Sequence, residues 1–224
     1  MKSNYLTTFI IKALKATAGL MIFASGVYMV IQANEGAPPW DVLNLGIVGK
    51  TGIIYGNVSI TVSAILILID VFILKEKIGW GTILDAVVVG KTVDLLYFLN
   101  PIPLMQGSLI LKLAVMLIGF IFEAFGQFVY MREGLSFGPR DTLQVGLGKL
   151  MPKLSIGFVN TIILAVALAL GWLLSGPVGI ASVLAPFGIG MAQNLVFKIM
   201  KFEPKSVCNE SFSQSWEKLS GGRT

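Results

Sequence analysis

Pro38-Pro39-Trp40-Asp41-Val42-Leu43-Asn44-Leu45-Gly46 and, one hundred positions later, Gly138-Pro139-Arg140-Asp141-Thr142-Leu143-Gln144-Val145-Gly146 are the stretches whose reading decides the fold. Pro suits the first turn of a helix, where its missing N–H is no loss, and an Asp two residues on complements the positive end of the helix dipole. Each stretch therefore predicts a short helix, over 39–50 and 139–150. At 1.5 Å per residue such a helix is about 16 to 18 Å long, roughly half of a bilayer's hydrocarbon core.

The register of one hundred extends well beyond these segments. Gly19 falls on Gly119, Gly26 on Gly126, Gly79 on Gly179, Thr82 on Ser182 and Gly90 on Gly190. Apolar matches are cheap in membrane helices, but coincident Pro, Asp and Gly are not, so the chain reads as an internal duplication.

Composition sets the solvent. Of 224 residues, 55% are hydrophobic and 13% charged, against roughly a quarter charged in soluble domains. With no His and a lone cysteine, Cys208, the chain lacks the usual means for imidazole acid/base chemistry, zinc or haem ligation and disulfide scaffolding. No enzyme activity, cofactor or metal is expected. Apolar stretches over 9–33, 56–74, 79–99, 108–130, 155–174 and 177–200 are each long enough for a span, broken by Gly, Pro and charge. The expected architecture is all-α and polytopic: six transmembrane helices, a repeat over 1–106 and a second over 107–201, then a polar, loosely ordered tail over 202–224.

Basic residues choose the orientation, because Lys/Arg-rich short loops stay in the cytoplasm. With the termini inside, only Lys50 and Lys112 fall at the outer face, Lys112 snorkelling outward, and Lys91 lies within the third span. The net charge of +5 then reflects topology and an anionic leaflet rather than nucleic acid. Three spans per half make the second half enter from the opposite side, the inverted-repeat design in which transporters place a site at the repeat interface. Two placements of the short helices stay open. They re-enter from opposite faces so that Asp41 with Asn44, and Asp141 with Gln144, line a central site, or they lie amphipathic at the interface with the Asp as a capping charge.

The doubled Pro-Trp-Asp and Gly-Pro-Arg-Asp segments, with Gly79-Trp80-Gly81-Thr82 opening the third span, resemble the YczE/YyaS/YitT group of bacterial multi-pass membrane proteins over about 14–200. The resemblance implies residence in the bacterial inner membrane and no particular substrate. The second repeat departs at Ala181-Ser182, where Gly-Thr would be expected.

Charges at membrane depth face protein or water and are functional candidates. Asp85, Lys91 and Asp94 lie in the third span; Lys91 and Asp94, three residues apart, form either a coupling element with Arg140 or a structural pair. Glu123 has no basic residue one turn away, so a partner on another helix, water or a proton must meet its cost. Asp70 is expected to reach Lys75 or Lys77. Asp41, Asn44, Asp85, Glu123, Asp141 and Gln144 are the candidate binding residues. They suit a secondary transporter of a small cationic or zwitterionic solute, with proton coupling and a homo-oligomer left open. The alternative is a membrane scaffold that recruits a cytoplasmic partner through 132–153 and the tail.

Overall fold

Each of those Gly, Pro and charge breaks ends a helix in the computed structural model, which describes residues 2–220. Among the described residues the α-helices run α1 (Lys2–Gln32), α2 (Pro39–Thr51), α3 (Tyr55–Leu68), α4 (Trp80–Leu99), α5 (Leu109–Met131), α6 (Pro139–Leu150), α7 (Ile156–Leu173), α8 (Ile180–Ile199) and α9 (Phe212–Ser220), with no strand. Both short helices start at the expected proline. Among the described residues, five helical segments are long and apolar enough to cross a membrane: Tyr5–Gln32, Tyr55–Ile73, Leu109–Met131, Ile156–Leu173 and Ile180–Ile199. The 20-residue α4 is as long as α8 but carries Asp85, Lys91 and Asp94. Large apolar side chains such as Phe98, Ile110, Phe187 and Met191 are exposed on the outside of the bundle, as an apolar solvent requires.

The centre of the bundle is the crossing of α1 and α5. Gly19 packs against Gly126, and Gly26 against Gly119, so the two helices run antiparallel with their glycine faces together. A Cβ built on Gly119 would lie 2.9 Å from the Gly26 carbonyl oxygen, closer than side-chain atoms pack. Small residues permit that approach, and van der Waals contact between backbones holds the pair.

Around this crossing, contacts recur at an offset of one hundred with the partners exchanged. At the start of α4, the Gly81 amide donates to the Leu135 carbonyl at 2.6 Å and the Thr82 hydroxyl to that of Phe137 at 2.7 Å. At the start of α8, the Ala181 amide donates to Glu35 at 2.8 Å and the Ser182 hydroxyl to Ala37 at 2.8 Å. Ser182 thus performs the same task as Thr82 despite the departure from Gly-Thr. The segments after α4 and α8 correspond too. Tyr28 bonds the Ile102 carbonyl at 2.7 Å and stacks edge-on with Tyr97, while Phe202 stacks edge-on with both Phe128 and Phe197.

Three expectations are corrected. The tail is not loose as far as it is described: its 207–212 segment is seated on the body, the Glu210 amide bonding Gly134 at 2.9 Å and that of Phe212 bonding Ile78 at 2.9 Å. Trp80 stacks on Phe212, and Tyr5 donates to the Glu210 carboxylate at 2.7 Å; sparse aromatics supply the adhesion that the polar composition hides. Asp70 does not reach Lys75 or Lys77. It sits in a π-helical turn, Ile69–Ile73, fully buried with neither carboxylate oxygen hydrogen-bonded, because the residue inserted by such a turn shifts the helix face. Lys112 does not snorkel outward; it pairs with Glu35 at 3.0 Å.

Candidate functional site

The first turns of α2 and α6 meet inside the bundle. Their equivalent positions touch: the Arg140 guanidinium lies 5.3 Å from the Trp40 ring centre, and its Nη2 is 3.8 Å from Asp41 Oδ1. A cation over an indole face is favourable, and more so away from water. Asp41, 2% exposed, also accepts a 2.7 Å hydrogen bond from the Tyr55 hydroxyl. Asp141 accepts one from Tyr130 at 3.1 Å.

Trp40, Tyr130, Arg140 and Asp141 border a cavity of about 280 Å³ to which all of α1 to α8 contribute, and Asp41 lies behind its lining, paired with Arg140. Asp85 and Glu123 complete its acidic wall, and Ser59, Ser63, Gln127, Asn160 and Gln193 its neutral polar one. Gln193 donates to Gln127 across α8 and α5. The Asp85 carboxylate lies against Gly138, the residue that caps α6, where any side chain would collide with it. Glu123 is 3% exposed and its Oε1 has no hydrogen-bond partner in the structure. On its α1 side only a glycine fits: a Cβ on Gly26 would come within 2.8 Å of Glu123 Cγ.

Comparison with known proteins now places the chain. Residues 10–198 match the model of a family of unknown function, DUF6198. The chain belongs to that family. Its similarity to the uncharacterized protein YyaS of Bacillus subtilis is 27% identity over 183 residues, 82% of this chain and 90% of the relative. An uncharacterized protein of Haemophilus influenzae is 28% identical over 204 residues, covering 89% and 91% of the two chains. The uncharacterized membrane protein YczE of Bacillus subtilis is 29% identical over 181 residues, 78% of this chain and 80% of the relative. No solved structure matches. The apolar helices and the YczE similarity identify this DUF6198 chain as a membrane protein.

Of the sequence-predicted residues, the DUF6198 chain gathers Asp85, Glu123, Arg140, Asp141 and Gln144 around one cavity, with Asp41 behind the lining against Arg140. Asn44 is fully buried beside Tyr55, behind that wall, with neither amide atom in hydrogen-bond geometry. Lys91 and Asp94 lie elsewhere. Asp94 accepts the Gly56 amide at 2.6 Å, capping the N-terminus of α3, while Lys91 donates to Asn57 at 2.7 Å and pairs with Asp94 at 3.8 Å. Their arrangement is that of a helix cap. Sequence reading missed Tyr55 and Tyr130, the hydroxyls on the two half-helix carboxylates, and the Gln127–Gln193 pair. Spacing could have found two of them: Gln127 and Tyr130 follow Glu123 by four and seven residues, on one helix face. Among the described residues no cluster of three or more Cys, Asp or Glu is placed to hold a metal ion.

Proposed function

We propose that this protein is a secondary transporter of a small cationic or zwitterionic solute, working by alternating access about the central cavity in the bacterial inner membrane. The observation that carries the reading is the meeting of two half-helix N-termini, from the two halves of the chain, at one buried polar cavity. Discontinuous helices that end at the midplane between repeats are how many transporters build a site. In this reading α4 is the sixth span, its charges turned to the cavity at Asp85 and to the start of α3 at Asp94. The halves are inverted repeats, α2 and α6 re-enter from opposite faces, and the end that holds the termini is cytoplasmic.

The exchanged contacts of α4 and α8, and the antiparallel glycine crossing of α1 and α5, support a two-fold relation in the membrane plane. A rocking of one half against the other would open the cavity to each side in turn. The scaffold alternative draws less support, because the tail is occupied against the body through Phe202, Glu210 and Phe212.

Proteoliposome flux with a panel of small amines and amino acids is the test. Asp41→Asn and Asp141→Asn are expected to lower flux at least tenfold while the purified variants stay folded and monodisperse. Flux unchanged in both variants would reject the cavity as the transport site, and loss of biological effect on deleting 207–224 with flux intact would favour the scaffold.

A further inference from the structure

Resting on that reading, we infer that the solute is a monocation without an anionic group, and that it enters the cavity at Glu123 in exchange for a proton. Two facts about donors decide the class. A helix N-terminus holds a carboxylate or phosphate with its free backbone N–H groups, and the N-terminus of α2 has almost none to give. Pro38 and Pro39 carry no N–H, and the amides of Asp41 and Val42 both donate to the Pro38 carbonyl, at 2.8 and 2.9 Å. The N-terminus of α6 is already covered by a carboxylate of the chain, Asp85 against Gly138, and by Asp141 in its first turn. Arg140, the cation of the cavity lining, is engaged with Asp41 and Trp40. An anionic group would find only neutral hydroxyls and amides, such as Ser59, Ser63 and Asn160, to set against the carboxylates of the lining.

Acceptors are the reverse. Glu123 lines the cavity, and its Oε1 is buried and takes no hydrogen bond. The charges that act on it are Asp41 from α2 and Arg140 from α6, with Asp85 from α4, Asp141 from α6 and Gln193 from α8 elsewhere on the same cavity and Gly26 of α1 against its side chain. The one guanidinium among them is already paired with Asp41 and makes no ion pair with Glu123. A buried carboxylate with no donor is costly, and binding a proton removes the charge. When a cation arrives, the O–H bond of the Glu123 carboxyl breaks, the proton passes to water, and the carboxylate left behind pairs with the cation. One positive charge leaves for each that enters. A cavity of about 280 Å³ holds roughly nine waters at ~30 Å³ each, room for a small amine or guanidinium compound.

The full-length protein in weakly buffered detergent solution is titrated with ammonium, ethylammonium or guanidinium chloride while a pH indicator follows proton release; alanine and glycine betaine are the zwitterionic counterparts. The expected result is about one proton released per cation bound for at least one of the three, none with the zwitterions, and at least a tenfold loss of release in Glu123→Gln. Infrared spectra should show a protonated carboxyl C=O band that Glu123→Gln removes, while Glu123→Asp keeps both the band and the exchange. Glu210→Gln, at the tail, should match the wild type. Release that persists in Glu123→Gln, release by alanine, or no release by any of the cations overturns the inference. Cation-driven release without flux in proteoliposomes would sink the transport reading and support this one; alanine flux without proton release would do the opposite.

Discussion

Gly126→Ala probes the crossing on which the two halves of the chain meet. A methyl at Gly126 would stand 2.6 Å from the Gly19 carbonyl oxygen and 2.7 Å from Phe23 Cα, where ordinary contact begins at 3.4 Å. Both neighbours are backbone of α1, so no side chain can rotate aside. The Phe23 amide nitrogen is nearer still, so the helices must part by at least roughly 0.8 Å, the shortfall of 2.6 Å from 3.4 Å. A gap of 0.5–1 Å forfeits about a quarter to a half of the dispersion energy of the contacts it opens, and overpacking of this kind costs about 1–3 kcal/mol. With the obstruction entirely main chain, about 3 kcal/mol is expected, or roughly 6–12 °C in Tm at ~2–4 °C per kcal/mol for a chain of this size. Thermal unfolding in detergent, followed by tryptophan fluorescence, measures it. Gly49→Ala on α2, where a methyl meets nothing within 4 Å, should be neutral or stabilising by up to ~1 kcal/mol, since Ala is the better helix former. Gly19→Ala meets the same crossing from the other side, so the double variant should cost less than the sum of the two. A loss in Gly126→Ala no larger than that in Gly49→Ala would refute the packing argument.

Other perturbations separate structure from site. Asp94→Ala should lower stability by about 1–2 kcal/mol through loss of the cap on Gly56, and flux only in proportion to the folded fraction, whereas Lys91→Ala should be nearly silent because its side chain is 53% exposed. Thr82→Ala and Ser182→Ala remove equivalent hydrogen bonds and should each cost about 1–2 kcal/mol by thermal unfolding; a large cost at one and none at the other would break the correspondence of α4 with α8. The seating of the tail should depend on pH. Burial pushes the Glu210 carboxyl up, but the Tyr5 hydroxyl, Lys218 and Lys12 outweigh it and leave it below the usual 4.5. A carboxylate lowered on docking stabilises the docked form above its undocked value, and that stabilisation is lost as pH falls through its docked one. Tail release below about pH 4.5, read from thiol labelling rates of a cysteine placed at Ser215, buried in the docked tail, in a Cys208→Ser background, should lose its pH dependence in Glu210→Gln.

Where the sequence was legible, the signal was local. Pro39 with Asp41, and Pro139 with Asp141, specify helix starts without help from any distant residue, and both helices begin there. Glycines that recur at equal offsets announce close packing because only a missing Cβ allows it, and Gly19, Gly26, Gly119 and Gly126 all lie in one crossing. Asp41, Asp85, Glu123 and Asp141 were legible as site candidates because charge in an apolar stretch is costly anywhere. What failed depended on which helix lies opposite. Lys91 and Asp94 are as conspicuous as Asp85, yet the start of α3 happens to end beside Asp94 and takes it as a cap. Asp70 is hidden by a π turn that no periodicity in a uniformly apolar segment reveals. The tail's docking rests on Phe202 and Phe212, too few to register against a polar background.

The central claim, that α2 and α6 enter the bilayer from opposite faces and meet at their first turns, is tested most directly by side-specific thiol labelling in membrane vesicles of known orientation. The full-length protein would carry single cysteines at Thr51 or Leu150, the far ends of the half-helices, in a Cys208→Ser background. The account predicts that an impermeant maleimide labels position 51 from the periplasmic side only and position 150 from the cytoplasmic side only. Labelling of both positions from the same side would contradict it.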